Sequence, residues 1–510
     1  MKLSELLKST SVQKVLGSVD SEITGLHHDS RTVGPGGLFF ALKGVSADGH
    51  AFIPSAAAKG AAAVIVEENV SLPPGIVAVK VADSRLAMAE MAASFFGDPT
   101  ASVPLIGITG TNGKTTTTYL IEGILASAGL PAAVLGTISY RFGDTRIEAS
   151  HTTPESTDLQ CALRKLADAG AKSFVMEVSS HALEQKRVDG CHFDVAIFSN
   201  LTRDHLDYHG SMEQYLEAKK RLFSELLKPD AIKPHRRATV NMDDPHGAAV
   251  RDSAACPVIT FGTNPSNDLH GVDIRLSTNG IKGGIRTPKG EFSFSSRLLG
   301  RFNLSNILAA VSAGIALDLP LAAIKEGIEG HLPVPGRLER VENSRGVTCL
   351  VDYAHTGDAL ENVLSTLKEI AAGRIITVFG CGGDRDSGKR PIMGRIAASM
   401  SDFAVVTSDN PRTEDPQKIL EQIRGGITPL GLREYRLPEL EKGFGEKGFL
   451  VCENRREAIR LAVKLANPGD ILLLAGKGHE DYQIIGKTKH HFDDREEAAE
   501  AFRCQSSCSL

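Results

Sequence analysis

The residues with the clearest chemical potential form a glycine-rich loop that follows an apolar stretch at 105–108 and leads into a helical pattern. The loop consists of Gly110, Thr111, Asn112, Gly113, Lys114 and Thr115. Backbone N–H groups at a helix start surround phosphate oxygens, a lysine at this place reaches the β- and γ-phosphates, and the next hydroxyl coordinates Mg²⁺. The strict phosphate-loop pattern has glycine at position 108, where this chain has isoleucine. A glycine-rich turn with an exposed lysine is the alternative, but strand, glycines, Gly-Lys-Thr and helix together predict ATP binding.

Four polar stretches in the last third of the chain each follow an apolar run. They are DYAHTGD (352–358), GCGGDRDSGKR (380–390), SDNPRTED (408–415) and GKGHEDYQ (476–483). The runs before them alternate with helical patterns, which is typical of a parallel sheet with crossover helices. Because ligands bind at the carboxyl ends of such strands, we expect these loops to form a ligand site.

The elements that position these loops indicate an α/β fold with three domains. Strands are predicted at 61–68, 105–108, 174–178, 194–198 and 238–241, and a helix at 303–316. GDPTASVP (97–104) and HLPVPGR (331–337) are rich in proline or glycine and read as boundaries. We therefore predict domains at 1–98, 99–335 and 336–510. The central domain would hold ATP on a mainly parallel sheet, and the last would be Rossmann-like.

The composition excludes several classes of protein. With 42% hydrophobic and 23% charged residues and a formal net charge of −5, the chain lacks the basic excess that nucleic-acid binding usually needs. No apolar run approaches the roughly 20 residues of a membrane helix, and the start lacks a signal peptide's apolar stretch. The eight cysteines are scattered singly, which favours free thiols over disulfides or zinc. We expect a cytoplasmic monomer with no nucleic-acid or membrane partner.

The string ITGTNGKTTT (108–117) resembles the phosphate loop of the Mur ligases, and further motifs of that family follow in order along the whole chain. They are HDSR (28–31), ADGH (47–50), HTTP (151–154), MEVSSHAL (176–183), NLTRDHLDYHG (200–210), AKKRLF (218–223), PGRLE (335–339), DYAHT (352–356), GGDRD (382–386), DNPR (409–412) and GKGHE (476–480). Two positions depart from the family pattern: His151 stands where asparagine is usual, and Gly357 where proline is usual.

The resemblance implies an ATP-dependent acid–amino-acid ligase that releases ADP and phosphate. ATP phosphorylates a carboxylate, and an amine then attacks the acyl phosphate. The implied substrate is UDP-N-acetylmuramoyl-L-alanyl-D-glutamate, a small molecule of peptidoglycan synthesis and thus of cell-wall biogenesis, cell shape and cell division. The implied amino-terminal domain binds the uridine nucleotide.

The resemblance also assigns catalytic and metal-binding roles. The catalytic residues would be Lys114, Glu177, His205 and Lys219, and the Mg²⁺ ligands Thr115, Glu177, His205 and Lys219. Lys219 would act as its carbamate, N6-carboxylysine, because a carbamate oxygen supports Mg²⁺ and an ammonium cannot. A solvated helix lysine at 219 and a structural histidine at 205 are the alternatives.

The implied binding residues fall into two groups. Those for ATP are Gly110, Thr111, Asn112, Gly113, Lys114, Thr115, Thr116, Asn303, Arg337, Asp352 and His355. Those for the UDP-muramoyl dipeptide are His28, Ser30, Val45, Ser46, Ala47, His151, Thr152, Thr153, Ser179, Gln185 and Arg187. For the serines and threonines, ordinary loop or helix capping is the alternative.

The motif DNPR matches the family members that add meso-2,6-diaminopimelate. This amino acid is lysine with a second carboxylate, which a guanidinium can grip with two parallel hydrogen bonds. The implied residues are Arg385, Asp409, Asn410, Pro411, Arg412, Gly476 and Glu480, with Glu480 on the distal ammonium. A polar turn is the generic reading of DNPR. The alternatives for the activity are a lysine-adding ligase, a folylpolyglutamate synthetase, a P-loop kinase or NTPase, and an inert nucleotide-binding module.

Overall fold

The structure is a computed structural model that describes residues 1–44, 47–149, 151–330 and 334–507. In this part of the chain the strands form three larger sheets, flanked by helices, and a separate two-stranded hairpin. The chain divides into two compact units. The first unit consists of Met1–Val272, Gly284–Ser293 and Ser305–Gly330, and the second unit of Asp273–Gly283, Phe294–Leu304 and His331–Leu510. Among the described residues, no helix is both long and apolar enough to span a membrane.

The amino-terminal sheet of the first unit has five strands in the order β1-β5-β4-β3-β2. Its strands are β1 (Val12–Leu16), β2 (Gly25–His27), β3 (Gly37–Phe40), β4 (Ala63–Val66) and β5 (Val77–Val81). Its helices are α1 (Leu3–Leu6), α2 (Ile53–Ala58) and α3 (Ser84–Phe95), with 3₁₀ turns at Leu7–Ser9 and Gly49–Phe52. Only β1 pairs antiparallel. The strand predicted at 61–68 is β4, whose four residues are all buried.

The central sheet contains the strand before the phosphate loop. Its strands are β6 (Leu105–Thr109), β7 (Ala132–Leu135), β8 (Tyr140–Phe142), β9 (Thr145–Ile147), β10 (Ser173–Glu177), β11 (Val195–Phe198), β12 (Arg237–Asn241), β13 (Val258–Gly262), β14 (Leu269–Ser277), β15 (Gly280–Thr287) and β16 (Gly290–Ser296). From β14 onward the order is β14-β13-β12-β11-β6-β10-β7-β8-β9, parallel as far as β7. The prediction of a mainly parallel central sheet is confirmed.

Helices cover this sheet and explain its unbroken apolar strands, because a parallel strand buried on both faces needs no polar side. They are α4 (Lys114–Ser127), α5 (Ser156–Asp168), α6 (Ser180–Glu184), α7 (Leu206–His209), α8 (Met212–Ser224), α9 (Gly247–Ser253), α10 (Arg301–Ala316) and α11 (Leu321–Glu329). The predicted helix at 303–316 is α10, and β6 is buried at all five residues.

The second unit is built on a seven-stranded sheet in the order β17-β18-β23-β19-β20-β22-β21. Its strands are β17 (Glu339–Val341), β18 (Thr348–Asp352), β19 (Ile375–Phe379), β20 (Phe403–Val406), β21 (Arg433–Glu434), β22 (Gly448–Val451) and β23 (Ile471–Ala475). Its helices are α12 (Gly357–Ile370), α13 (Lys389–Met400), α14 (Pro416–Ile427), α15 (Arg455–Leu465) and α16 (Asp494–Ser507), with 3₁₀ turns at Thr428–Leu430 and Leu437–Leu440. Only β17 pairs antiparallel.

The order β18-β23-β19-β20 puts the polar loops of the last third at one edge of the sheet. Three of them are used below by name: the glycine loop (380–388) after β19, the proline loop (407–415) after β20, and the lysine loop (476–481) after β23. A hairpin that the sequence did not predict, β24 (Tyr482–Ile485) with β25 (Thr488–His491), follows the lysine loop.

Candidate functional site

The phosphate loop joins the end of β6 to α4, and its backbone depends on glycine. Gly113 has φ +86°, and a Cβ atom there would lie 2.2 Å from Asn306 Oδ1. Both strain and contact exclude other residues at this position. The Lys114 ammonium donates hydrogen bonds to the carbonyls of Gly110 and Thr111, each at 2.9 Å. The loop therefore has the form expected for a phosphate site, with its lysine at the mouth of the loop.

Two oxygen donors suited to Mg²⁺ lie together beside this loop. Thr115 Oγ1 donates to Glu177 Oε1 at 3.0 Å, and both side chains are buried. The Glu177 carboxylate also accepts from the N–H and the hydroxyl of Thr137, at 3.1 and 3.0 Å. Mg²⁺ prefers a few hard protein oxygens and keeps water or phosphate oxygens for the rest. Thr115 and Glu177 fit that requirement, and Thr116, the next residue of α4, is buried.

Lys219 is a buried lysine on α8, only 1% exposed. Its Nζ donates to the Gly110 carbonyl at 3.0 Å and lies 4.4 Å from the ring centre of Tyr215. Among the described residues, no carboxylate forms an ion pair with it. Burial, and then the positive charge of Lys114, hold the pKa of Lys219 well below its ordinary value. The reading as a solvated helix lysine is wrong, since the side chain has almost no contact with solvent.

Tyr215 connects His205, Lys219 and the phosphate loop. Its hydroxyl lies 3.1 Å from Thr111 Oγ1, and the ring centres of Tyr215 and His205 are 6.1 Å apart. His205, the residue before α7, has φ +53°, and its imidazole is 47% exposed. The histidine is therefore half-open to solvent near Lys219, where it can reach a ligand.

The residues implied for the muramoyl peptide lie together around Glu177. The Thr152 hydroxyl is 3.1 Å from that of Thr137, and Thr153 Oγ1 donates to the Glu177 carbonyl at 2.8 Å. Ser179 caps α6 by accepting from the Ala182 N–H, and its own N–H donates to Thr153 Oγ1. Helix capping, the alternative role for Ser179, therefore accounts for one of these two hydrogen bonds. The His151 carbonyl accepts a hydrogen bond from the Tyr140 hydroxyl at 2.5 Å.

Arg187 is held in place by several acceptors. Its guanidinium donates to Gln185 Oε1 at 2.7 Å and to the Thr153 carbonyl at 2.9 Å, and it forms an ion pair with Glu155 at 3.0 Å. Gln185 in turn donates to the Tyr208 hydroxyl. The side chain therefore presents a fixed cation, and a carboxylate or diphosphate that binds there meets a preorganised partner.

A cavity of about 550 Å³ lies in the amino-terminal part of the first unit. Three of the implied uridine-nucleotide residues line it: His28, Ser30 and Ala47. Phe39 and Phe52 contribute apolar walls. Val45 and Ser46, which were also predicted here, lie outside the described residues. The His28 imidazole is 3.1 Å from the Thr157 hydroxyl at the start of α5.

Residues implied for the nucleotide in the second unit surround the end of β18. The buried carboxylate of Asp352 accepts from the backbone N–H groups of Leu338 and Ala354, each at 2.8 Å, and burial raises its pKa. The Arg337 guanidinium lies 5.4 Å from the ring centre of Tyr353. His355 Nδ1 is 2.8 Å from the Tyr353 carbonyl. Asn303 is buried, and its amide donates to the Leu299 carbonyl.

The two arginines predicted to recognise diaminopimelate lie close to Gly382 of the glycine loop, and Arg385 belongs to that loop. A Cβ atom at Gly382 would lie 3.0 Å from Arg412 Nη1 and 4.0 Å from Arg385 Cγ. Arg412 has φ +52°, which is unusual for a residue other than glycine. Its N–H donates to the Ile484 carbonyl, and its own carbonyl accepts from Gly486. The unpredicted hairpin thus holds the Arg412 backbone in a conformation that turns the side chain toward the glycine loop.

Asn410 in the proline loop has its amide orientation fixed by neighbours. Its Oδ1 accepts from Lys477 Nζ at 3.2 Å and from the Ile484 N–H at 3.0 Å, so its Nδ2 donates to Glu480 at 2.9 Å. Lys477 is fully buried and also pairs with Asp409 at 3.2 Å. Pro411 is buried beside them, and the Gly476 N–H donates to the Asp352 carbonyl.

Sequence reasoning missed Tyr215, Asn306 and Lys477. Tyr215 and Lys219 are four residues apart on α8 and so share one helix face, which was an available signal. Asn306 approaches Gly113 and Thr117 from α10, and only the tertiary structure brings these segments together. Lys477 lies inside a motif that was recognised, but a buried lysine cannot be told from an exposed one by its type.

Comparisons with known proteins agree with these findings along the chain. Residues 22–96 match the model described as the Mur ligase family catalytic domain, 108–314 the Mur ligase middle domain, and 336–478 the Mur ligase glutamate ligase domain. A protein of Geobacter metallireducens named UDP-N-acetylmuramoyl-L-alanyl-D-glutamate--2,6-diaminopimelate ligase is 62% identical over 99% of both chains. The protein of the same name from Geobacter sulfurreducens is 59% identical, over 99% of this chain and 100% of that protein.

A solved structure described as the same ligase is 34% identical, with a TM-score of 0.73 over 99% of each chain. The prediction of an α/β fold with three domains and the resemblance to the Mur ligases are confirmed. The chain belongs to the Mur ligase family.

Proposed function

We propose that this chain is an ATP-dependent ligase that joins meso-2,6-diaminopimelate to UDP-N-acetylmuramoyl-L-alanyl-D-glutamate through an acyl phosphate. It releases ADP and phosphate and supplies a precursor of peptidoglycan. Its domains are 1–98 for the uridine nucleotide, 99–335 for ATP and 336–510 for the amino acid. It works in the cytoplasm, where ATP and UDP-linked substrates are metabolites, and we propose that it is a monomer.

The observation that carries the choice of amino acid is the pair of arginines beside Gly382, with Glu480 nearby. Two guanidinium groups suit the distal carboxylate of diaminopimelate, and the half-buried Glu480 carboxylate suits the distal ammonium. Lysine carries no such carboxylate, so Arg412 would lose a partner with that substrate. This favours diaminopimelate over the lysine-adding and folate alternatives.

The phosphate loop supplies the ATP chemistry of the proposal. Lys114 and the start of α4 stabilise charge on the transferred phosphoryl group, and Thr115 and Glu177 would hold a Mg²⁺ ion, which would supply further neutralising charge when bound. A kinase or a plain NTPase has the same needs. What separates the ligase is the amino-acid site at the edge of the seven-stranded sheet in the second unit.

Lys219 serves in the proposal as its carbamate. Burial and the charge of Lys114 lower the pKa of this amine, which favours its uncharged form, and an uncharged amine adds CO₂. The product carries two oxygens, and together with His205 these would hold a second Mg²⁺. Burial of a lysine costs free energy, and a catalytically inert nucleotide-binding module would gain nothing that offsets this cost.

Product analysis tests the proposed activity directly. The full chain is incubated with ATP, Mg²⁺ and the UDP-muramoyl dipeptide, and with one amino acid at a time from a panel that includes meso-diaminopimelate, lysine and glutamate. Mass analysis should find the tripeptide only with diaminopimelate, together with stoichiometric ADP. A lysine or glutamate adduct would replace this proposal by one of the alternatives, and ADP without any adduct would favour an NTPase.

A matched pair of variants tests Lys219. Lys219→Ala should lose activity, and Lys220→Ala should keep it because Lys220 pairs with Glu217 at the surface. Short carboxylic acids added to Lys219→Ala should restore part of the activity by filling the place of the carbamate. A Lys219→Ala protein with full activity, with or without bicarbonate, would exclude the carbamate.

A further inference from the structure

The glycine loop and the proline loop lie side by side, and several hydrogen bonds join them. The Gly383 N–H donates to the Asn410 carbonyl at 2.9 Å. The Thr413 hydroxyl and N–H both donate to the Asp384 carboxylate, at 2.9 and 3.1 Å. The loops that carry the two arginines therefore have a fixed register.

Arg390, in the first turn of α13, lies beneath both loops and is 1% exposed. One Nη donates to the Gly382 carbonyl of the glycine loop at 3.0 Å. Both Nη atoms donate to the Glu414 carboxylate of the proline loop at 2.9 Å, and Nη1 also donates to Gln422 at 2.8 Å. A single guanidinium thus connects the two loops.

Arg390 contacts residues that lie next to Arg385 and Arg412. Gly382, whose carbonyl it holds, is the residue against which Arg412 Nη1 and Arg385 lie. Glu414 is two residues after Arg412, and it also accepts the Asp384 N–H at 2.5 Å. A shift of the Arg390 side chain would therefore displace the loop segments that carry Arg385 and Arg412.

We propose that Arg390 is a positioning residue for amino-acid selection, because it fixes the spacing of Arg385 and Arg412. This inference rests on the proposed function, since the two arginines matter only if they grip a carboxylate. Arg390 itself does not touch the substrate. Its role is geometric: a carboxylate gripped by two guanidinium groups tolerates little change in their separation, and a misplacement of 1 Å costs up to about a hundredfold in rate.

Lysine cannot replace arginine in this role. The planar guanidinium presents several donors in a rigid fork, so it holds Gly382, Glu414 and Gln422 together. An ammonium is a single point and keeps the charge without the fork. Arg390→Lys therefore separates the geometry from the charge.

A steady-state comparison of diaminopimelate and lysine as substrates tests the inference on the full chain. For Arg390→Lys we expect the preference for diaminopimelate, as the ratio of kcat/KM values, to fall about tenfold or more. The loss should appear in the KM for diaminopimelate, with the KM values for ATP and the UDP-muramoyl dipeptide within about twofold of the wild type. A residue that merely stabilised the fold would lower the amount of active enzyme, and so the apparent kcat with both amino acids equally, and would leave the KM values and the preference unchanged.

Arg374→Lys is the matched control. Arg374 forms a similar two-pronged pair with Asp470, with Nε and Nη2 at 3.1 and 2.6 Å from Oδ2, but at the amino ends of β19 and β23, opposite the loops. This variant should lose stability and keep the preference within about twofold. If Arg390→Lys does not fold, Glu414→Gln removes the charge of the partner and should lower the preference in the same way.

Two outcomes overturn the inference: an unchanged preference in a folded Arg390 or Glu414 variant, or an equal loss of preference in Arg374→Lys. The wild-type assay separates these from a failure of the proposed function. If the wild type adds no diaminopimelate, the proposed function falls and takes the inference with it. If the wild type adds it and the variants still discriminate, only the role of Arg390 falls.

Discussion

Replacement of Lys477 by methionine tests how the proline loop is held. The Lys477 ammonium is fully buried and lies 3.2 Å from Asp409 Oδ1, 3.2 Å from Asn410 Oδ1 and 2.7 Å from the Tyr482 carbonyl. Methionine has a similar length and shape but neither charge nor donors. The variant therefore leaves a buried carboxylate without its closest ion-pair partner.

The expected cost is large. Removing one partner of a buried ion pair destabilises a protein by about 3–5 kcal/mol. Arg455 also lowers the pKa of Asp409, so we expect the lower end of that range. The fixed amide orientation of Asn410 should be lost as well, and with it part of the hold on Glu480.

The contribution of Asp409 to the pH dependence of the free energy of unfolding should change sign in Lys477→Met. In the wild type, burial acts to raise the pKa of Asp409, but Lys477 and Arg455 outweigh it, so the pKa lies below the ordinary 3.8. That carboxylate thus adds stability above pH 3.8, which is lost as the pH falls toward the folded pKa. Without Lys477 we expect burial to raise the pKa above its ordinary value. Stability then falls with rising pH between the two pKa values, by at most about 1.4 kcal/mol per pH unit.

Amide hydrogen exchange of peptides from β19 and β23 measures the free energy of unfolding of the second unit. We expect a deficit of about 3 kcal/mol or more at pH 7 and a smaller one at pH 5. Lys464→Met, the same substitution at an exposed lysine of α15, should change stability by less than about 0.5 kcal/mol. A Lys477→Met protein with a deficit below about 1 kcal/mol, or with the same deficit at both pH values, would refute the reasoning.

Three further predictions concern the same sites. Gly382→Ala places a methyl group 3.0 Å from Arg412 Nη1 and should raise the KM for diaminopimelate while leaving that for ATP unchanged, as steady-state kinetics would show. Arg412→Ala should lose roughly 2–5 kcal/mol of diaminopimelate recognition, seen as a collapse of its kcat/KM toward that of lysine; an unchanged preference would contradict the assignment. Thr115→Val removes the hydroxyl 3.0 Å from Glu177 and should raise the Mg²⁺ concentration for half-maximal activity about tenfold or more, measured by titration at saturating ATP.

Much of the fold follows from local patterns. The buried strands β6, β10, β11, β18, β19, β20 and β23 are continuous apolar runs followed by polar loops, and such runs, when they alternate with helical patterns, are typical of parallel strands. The antiparallel hairpin β24–β25 was missed because its residues are half-exposed or exposed and show no apolar run. Its contact with Arg412 is a backbone contact, and backbone hydrogen bonds leave no mark in the residue type.

The sequence by itself determined the chemistry available to this protein: a phosphate loop, a threonine and a glutamate for Mg²⁺, and arginines in polar loops at strand ends. Those features depend on residue type and short spacing, which can be read along the chain. The tertiary structure alone decided which groups are buried and which neighbours they meet. In the folded chain, Lys219 is buried away from solvent, Arg390 lies beneath two loops, and the Asn410 amide points toward Glu480. None of these follows from residue type, because burial and contacts between distant segments depend on how the chain packs.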